Sequence, residues 1–270
     1  MANNKIGFIG CGSMGSALVR AICKQGDAYS IGISSLHFER AETLAKETKS
    51  QAFRSNKELV NFAKYIFLAV KPNVLPSILK EIKSVLDGDC VLISMAAGFN
   101  LNKMQSLLGI QNIPLVRIMP NTPVQIGEGM TALCHSENIS KDNLDTIIKI
   151  LECSGRVEIV SESLFDAVTA VSGSGPAYAF VFIEALADAA VRCGLSRKQA
   201  YLYASQTLRG AASMVLQSGN SPAQLKDAVC SPGGTTIEAL AALENGGFRA
   251  SVYDAVQAAF EKSRKISSAN

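Results

Sequence analysis

Close to the N-terminus a short apolar run, Lys5–Gly10, feeds directly into Gly10-Cys-Gly-Ser-Met-Gly15, and a helical pattern, Ser13–Gln25, follows at once. Glycines at this spacing allow a tight turn, then close backbone approach to a pyrophosphate, then helix–strand packing. The helix N-terminus behind them attracts phosphate. The turn therefore points to a bound dinucleotide, held by Gly10, Gly12, Ser13, Met14 and Gly15. Sites for NAD usually carry an acidic residue at the end of the second strand to bind the ribose 2′-hydroxyl. Here that strand, Tyr29–Ser34, runs out in Ile33-Ser34-Ser35. Hydroxyls hydrogen-bond a 2′-phosphate, whereas a carboxylate repels it, so the expected cofactor is NADPH, with NADH possible. Arg40, one turn into the next helix, either assists or is a solvated charge.

The same alternation continues. Helical patterns cover Phe38–Thr48, a helix opened by Ser55-Asn-Lys-Glu58, Val74–Val85, Leu101–Leu108 and Lys141–Leu151. Strand-like runs cover Tyr65–Val70, Asp89–Ser94, Pro114–Met119, Met130–Cys134 and Arg156–Val160. Near-continuous apolar strands between helices predict an α/β fold, a Rossmann-type doubly wound and mostly parallel sheet covered on both faces. From Ser161 no strand signal follows, and Ser196–Gln199, Ser221–Gln224 and Thr235–Glu238 read as capping boxes. A boundary is expected near 160: residues 1–160 form a dinucleotide-binding domain and 161–270 an all-helical domain.

The helix after Gly175 is apolar almost all round, with Glu184, Asp188 and Arg192 in one stripe. Such a helix must be buried. A small helical domain has room for one central helix, but Arg197–Gln217 and Phe248–Ile266 are also apolar or alanine-rich, which suggests a surface that pairs with another subunit. The charged stripe argues against a membrane span.

Composition removes several classes of function. Lys and Arg number 26 against 23 Asp and Glu, too even for a nucleic-acid binder or a polybasic anchor. A hydrophobic content of 48% excludes disorder. Seven cysteines without a CxxC pair and two histidines, His37 and His135, offer no clustered zinc ligands, so no metal is expected. The cysteines read as buried thiols of a reducing, cytoplasmic compartment. The start runs straight into a strand, leaving no room for a signal peptide.

Further motifs sit where ligands of doubly wound sheets bind. Val70-Lys71-Pro72 and Ala96-Ala97-Gly98 end strands, and small residues there let a nicotinamide ring lie against backbone; Lys71 is equally an ordinary loop lysine. Met119–Pro123 (MPNTP) and Ser172–Ala177 (SGSGPA) are a polar turn and a small-residue loop. Cys230-Ser-Pro-Gly-Gly-Thr-Thr236 offers backbone N–H groups at a helix start, suited to a carboxylate or phosphate. An ordinary glycine-rich helix start explains it equally well.

GFIGCGSMG, FLAVKP, SMAAG, MPNTP, SGSGPAY and LKDAVCSPGGTTIEAL, in this order and over residues 5–265, resemble the Δ1-pyrroline-5-carboxylate reductase family. The resemblance implies reduction of a cyclic imine to L-proline in the final step of proline biosynthesis. It further implies a site between the two domains and a homodimer built by the helical domain, sometimes a pentamer of dimers. It places the cofactor on Gly10–Gly15, Ser34, Ser35, Asn56, Val70, Lys71, Pro72, Ala96 and Ala97. Ser231, Gly233, Gly234 and Thr235 would hold the substrate carboxylate, Thr236 would act catalytically on the ring nitrogen, and Glu162 would reach the substrate. Ala228 departs from relatives that carry asparagine there, which puts a cofactor contact in doubt. The resemblance adds no nucleic-acid or membrane partner.

A β-hydroxyacid dehydrogenase is the nearest enzymatic alternative. Such enzymes resemble one another in a catalytic lysine after the interdomain glycines, and no lysine occurs here between Lys149 and Lys198. A non-catalytic NADP-sensing scaffold is the other alternative, which the intact SPGGTT loop disfavours.

Overall fold

The structure, a computed structural model, describes residues 4–26 and 28–269. It divides into two compact units: residues up to Ser174 together with those from Ala259, and Gly175–Ala258.

The first unit alternates β1 (Asn4–Ile9), α1 (Ser13–Cys23), β2 (Tyr29–Ser34), α2 (Phe38–Thr48), β3 (Gln51–Phe53), α3 (Asn56–Phe62) and β4 (Tyr65–Leu68). It continues with α4 (Leu75–Ile82), β5 (Val91–Ser94), α5 (Leu101–Leu108), β6 (Leu115–Pro120), β7 (Gly129–His135), α6 (Lys141–Glu152) and β8 (Gly155–Ile159). The eight strands form one sheet in the order β3-β2-β1-β4-β5-β6-β7-β8, parallel throughout except for the β6–β7 pair. This is the doubly wound, mostly parallel sheet the alternation predicts.

Successive side chains along a strand fall on opposite faces, and those two apart share one. In β4, Tyr65 and Phe67 enter one core cluster while Ile66 and Leu68 enter the other. Phe8 of β1 stacks on Phe67 with ring centroids 4.6 Å apart in the first of these. Each such side chain, fully removed from water, contributes about 1.5–3 kcal/mol. Both faces are closed, so ligands are left the sheet's edges.

After β8 the chain enters one helical stretch: a 3-10 turn at Glu162–Leu164, α7 (Phe165–Val168), a π turn at Thr169–Gly173, then α8 (Gly175–Arg192). Ser172–Ala177 is therefore not the loop its glycines suggest. The helix passes through it by widening for one turn, an arrangement common where a helix borders a functional site. The stretch Glu162–Arg192 is also longer than the apolar tract alone implies, and by length and composition it suffices to cross a bilayer. The charges at Glu184, Asp188 and Arg192 do not remove it from that class.

The second unit holds α8, α9 (Arg197–Ser218), α10 (Pro222–Ala228), α11 (Thr235–Asn245) and the start of α12 (Phe248–Ala269), whose residues from Ala259 group with the first unit. Ser196–Gln199 and Ser221–Gln224 form the reciprocal capping boxes expected of them. Ser55 caps α3 by accepting from the Lys57 N–H. Its helix lacks the predicted reciprocal bond.

Burial of α8 within the chain is overturned. Only Ala187 of that helix is buried, packed with Ala200 and Ala204 of α9. Large apolar side chains face outward instead, including Phe180 (64% exposed), Leu202 (67%) and Tyr253 (76%). Three buried alanines are no core for a unit of this size, and an exposed apolar surface of this kind marks an association face.

Candidate functional site

Strand register decides what gathers at the carboxyl edge. Ile9 pairs with both Ser34 and Leu68, Leu68 with Ser94, and Ser34 with Phe53. The segments after these residues, namely Gly10–Gly15, Ser35, Arg54, Val70–Pro72 and Ala96–Ala97, therefore leave the sheet along one edge. The winding reverses between β1 and β4, which is where doubly wound sheets bind ligands.

Gly10 has φ +101°, and a Cβ there would lie 2.5 Å from the Ala69 carbonyl oxygen. Gly15 is buried, and its Cβ would meet Gly10 O and Ala69 Cβ at 2.8 Å. These two glycines are required by the protein's own packing. Gly12 is different: a Cβ there meets nothing within 4 Å. As N-cap of α1, Gly12 supplies no side-chain cap, so the first N–H groups of the helix face outward with the positive dipole end behind them. An open backbone cradle with uncapped donors fits the diphosphate of a dinucleotide.

Ser34 is buried and donates its hydroxyl to Asn56 Oδ1 at 2.7 Å; Asn56 Nδ2 donates to Glu81 Oε2 at 2.8 Å. The structure thus joins two sequence-predicted residues in one chain of hydrogen bonds. Ser35 is half-buried, Lys71 is exposed at the start of a 3-10 turn, and Val70 and Pro72 flank it half-buried. Ala96 is buried, its N–H bonded to Ser94 Oγ at 3.2 Å, and Ala97 is half-buried.

Glu162 sits deeper in a network than the sequence suggests. Its Oε1 accepts from the Leu101 N–H at 2.8 Å, the first residue of α5, and from Arg117 Nη1 at 3.2 Å. Arg117, on β6, is buried, with its guanidinium carbon 4.4 Å from the Phe165 ring centroid. Sequence reasoning passed over Arg117. A lone cation inside the apolar run PLVRIM was the available signal, since a buried arginine needs a partner. The MPNTP turn has its own partner: Asn121 Nδ2 donates to Ser172 O at 3.2 Å and Oγ at 3.3 Å, joining it to the π turn.

In the second unit, Ser231-Pro-Gly-Gly234 closes a turn through the Gly234 N–H to Ser231 O at 3.0 Å. Pro232 at the second position and Gly233 at the third, with φ +67°, are the residues a type II turn demands. Gly234, not Thr235, is the N-cap of α11, and no side chain caps it. The predicted Thr235–Glu238 capping box does not form, because Thr235 is already helical. The consequence favours binding: the N–H groups of the first turn stay available, and Thr235 and Thr236 stand in that turn, exposed and half-buried.

All seven cysteines are free thiols, two of them buried. Burial pushes the thiols of Cys90, Cys134 and Cys153 up to about 11, 12 and 11. Thiolates are disfavoured there, and these side chains act as packing.

Known proteins agree with this layout. A family model described as pyrroline-5-carboxylate reductase dimerisation matches residues 162–266, and one described as NADP oxidoreductase, coenzyme F420-dependent, matches residues 5–98. The chain is 42% identical over 265 residues to the pyrroline-5-carboxylate reductase of Escherichia coli K12, covering 97% of this chain and 98% of that one. A crystal structure of Plasmodium falciparum pyrroline carboxylate reductase with NADP bound superposes with TM-score 0.88 at 36% identity, covering 99% of both chains. The Coxiella burnetii pyrroline-5-carboxylate reductase reaches 0.91 at 33% identity, over 98% of this chain and 99% of that one. Identity at this level over almost the whole length leaves one conclusion: the chain belongs to the pyrroline-5-carboxylate reductase family.

Proposed function

We propose that the protein reduces Δ1-pyrroline-5-carboxylate to L-proline with NADPH, the final step of proline biosynthesis. The observation that carries this reading is 42% identity to the Escherichia coli enzyme across 97% of the chain, with the glycine cradle complete. The bound reduced nicotinamide supplies the hydride. Gly10, Gly12, Ser13, Met14 and Gly15 hold the diphosphate; Ser34, Ser35 and Asn56 serve the ribose end; Val70, Lys71, Pro72, Ala96 and Ala97 line the nicotinamide side.

Ser231, Gly233, Gly234 and Thr235 bind the substrate carboxylate through uncapped N–H groups and a hydroxyl. Both bonds to Glu162 fall on Oε1, leaving Oε2 for the substrate. Thr236 hydrogen-bonds the ring nitrogen. A protonated cyclic imine is already electrophilic, so the residues need supply orientation and not a strong acid; orientation is worth at best ~7–11 kcal/mol.

In this reading residues 1–160 carry the cofactor and 161–270 the substrate loop and a homodimer interface, with a pentamer of dimers as the higher form. The exposed apolar face of the helical unit supports the dimer. Seven free thiols suit a reducing cytoplasm.

The test is a spectrophotometric assay of purified protein with pyrroline-5-carboxylate, NADPH and NADH side by side. Oxidation of NADPH with formation of proline is expected; NADPH binding without oxidation overturns the reading. Within that assay Thr236→Ala should lower kcat about tenfold, the worth of one hydrogen bond at 1–1.5 kcal/mol, and leave the KM for NADPH unchanged. An unaltered kcat would remove Thr236 from the reaction.

A further inference from the structure

We propose that Arg54 binds the 2′-phosphate of NADPH and, with Ser35, sets the preference for it over NADH. This inference rests on the NADPH reading above and names the side chain responsible.

Ser34 pairs in register with Phe53. Ser35 and Arg54, the next residues, therefore leave neighbouring parallel strands together, and such strands lie about 4.8 Å apart. Both emerge at the carboxyl edge, where the second strand of a dinucleotide site meets the adenosine ribose. No acidic residue stands at the end of β2 to take a 2′-hydroxyl.

Two polar groups there, Ser34 and Asn56, are already engaged. Ser34 is buried and its hydroxyl is given to Asn56, whose amide is given to Glu81. That chain ends on a carboxylate, which disfavours a phosphate beside it. Positive charge has to come from another side chain, and the nearby cations are Arg40 and Arg54.

Arg54 supplies it. The side chain is exposed, and among the described residues neither a carboxylate nor a hydrogen-bond acceptor engages it. Its guanidinium carbon lies 4.0 Å from the centroid of the Phe38 ring, at the first residue of α2. Stacking on an aromatic face restrains a guanidinium while leaving its N–H fork free, which suits bidentate contact with a phosphate. A solvated arginine has no such restraint. Sequence spacing alone does not reveal this residue, because 19 positions separate Arg54 from Ser35 and only the β2–β3 register brings them together.

Calorimetric titration of the purified protein with 2′,5′-ADP, 5′-AMP, NADP+ and NAD+ tests the assignment. Arg54→Ala and Arg54→Gln should each weaken 2′,5′-ADP and NADP+ about tenfold, as expected for loss of a charge-assisted hydrogen bond. Affinities for 5′-AMP and NAD+ should stay within twofold, and the melting temperature should hold. Unchanged NADP+ affinity, an equal loss for both cofactors, or the loss appearing in Arg40→Ala and not at Arg54 would overturn the assignment. Wild-type protein that binds 2′,5′-ADP no better than 5′-AMP would sink the NADPH reading along with it.

Discussion

Methionine in place of Arg117 is expected to lower the unfolding free energy by about 3 kcal/mol. Arg117 is the cation at the centre of a three-way contact: its Nη1 lies 3.2 Å from Glu162 Oε1, its guanidinium covers the Phe165 ring, and the same Glu162 oxygen holds the first N–H of α5. Its side chain is 8% exposed and that of Glu162 28%. Removing one partner of a buried pair leaves the other charge uncompensated, at about 3–5 kcal/mol. The partial exposure of Glu162 puts this case at the low end. Methionine fills comparable volume, so the loss reports the charge and not a cavity. The double variant Arg117→Met/Glu162→Gln should recover about half, because the amide still accepts from Leu101 without carrying a charge. Urea titrations at fixed protomer concentration measure both, through the midpoint at constant slope. A single variant within 0.5 kcal/mol of wild type would show that the pair does not stabilise the fold.

That network also marks where the sequence stops being readable. Strands and helices with a clean period were legible: β2, α2 and α5 fall where the alternation places them. β3 was missed because Gln51–Phe53 is three residues long at the sheet's edge, with no residue fully buried. Such a strand exists only because β2 offers it a partner. The Ser172–Ala177 segment misleads for another reason: glycine and serine signal a loop, but a π turn absorbs them without ending the helix. Thr235 read as a cap because threonine caps helices often, yet the turn at Pro232–Gly233 hands that position to Gly234. That α8 is apolar almost all round is a correct observation with two outcomes, burial in the chain or burial against another, and only the solvent exposure of Phe180 and Val181 separates them. Among candidate cofactor residues, Gly10, Ser35 and Val70 lie on contiguous motifs that follow paired strand ends. Arg54 and Arg117 depend on contacts between distant segments, which no motif spells out.

Alanine at Gly12 should weaken NADP+ about a hundredfold while leaving the fold almost untouched, and the contrast with Gly10 is what makes the result informative. Gly10 holds a positive φ and would drive its Cβ to 2.5 Å from the Ala69 carbonyl oxygen. Gly10→Ala therefore costs the protein itself about 2–4 kcal/mol through backbone strain and overpacking. Gly12 has φ −70° and ψ −178°, open to any residue, and its Cβ would touch nothing within 4 Å. Alanine is a poorer N-cap than glycine by about 0.5–1 kcal/mol, and that is the whole expected stability cost. Nothing among the described residues meets a Cβ at this position, so a loss of affinity in Gly12→Ala reports what lies against the turn. A diphosphate drawn onto the first N–H groups of α1 must pass within van der Waals distance of Gly12 Cα. A methyl group there costs overpacking of about 1–3 kcal/mol, and the upper end corresponds to about a hundredfold in affinity. Calorimetry with NADP+ and a thermal melt, run on both variants, separate the two glycines. If Gly12→Ala binds NADP+ as wild type does, the diphosphate does not lie over this turn, and the cofactor assignment loses its anchor.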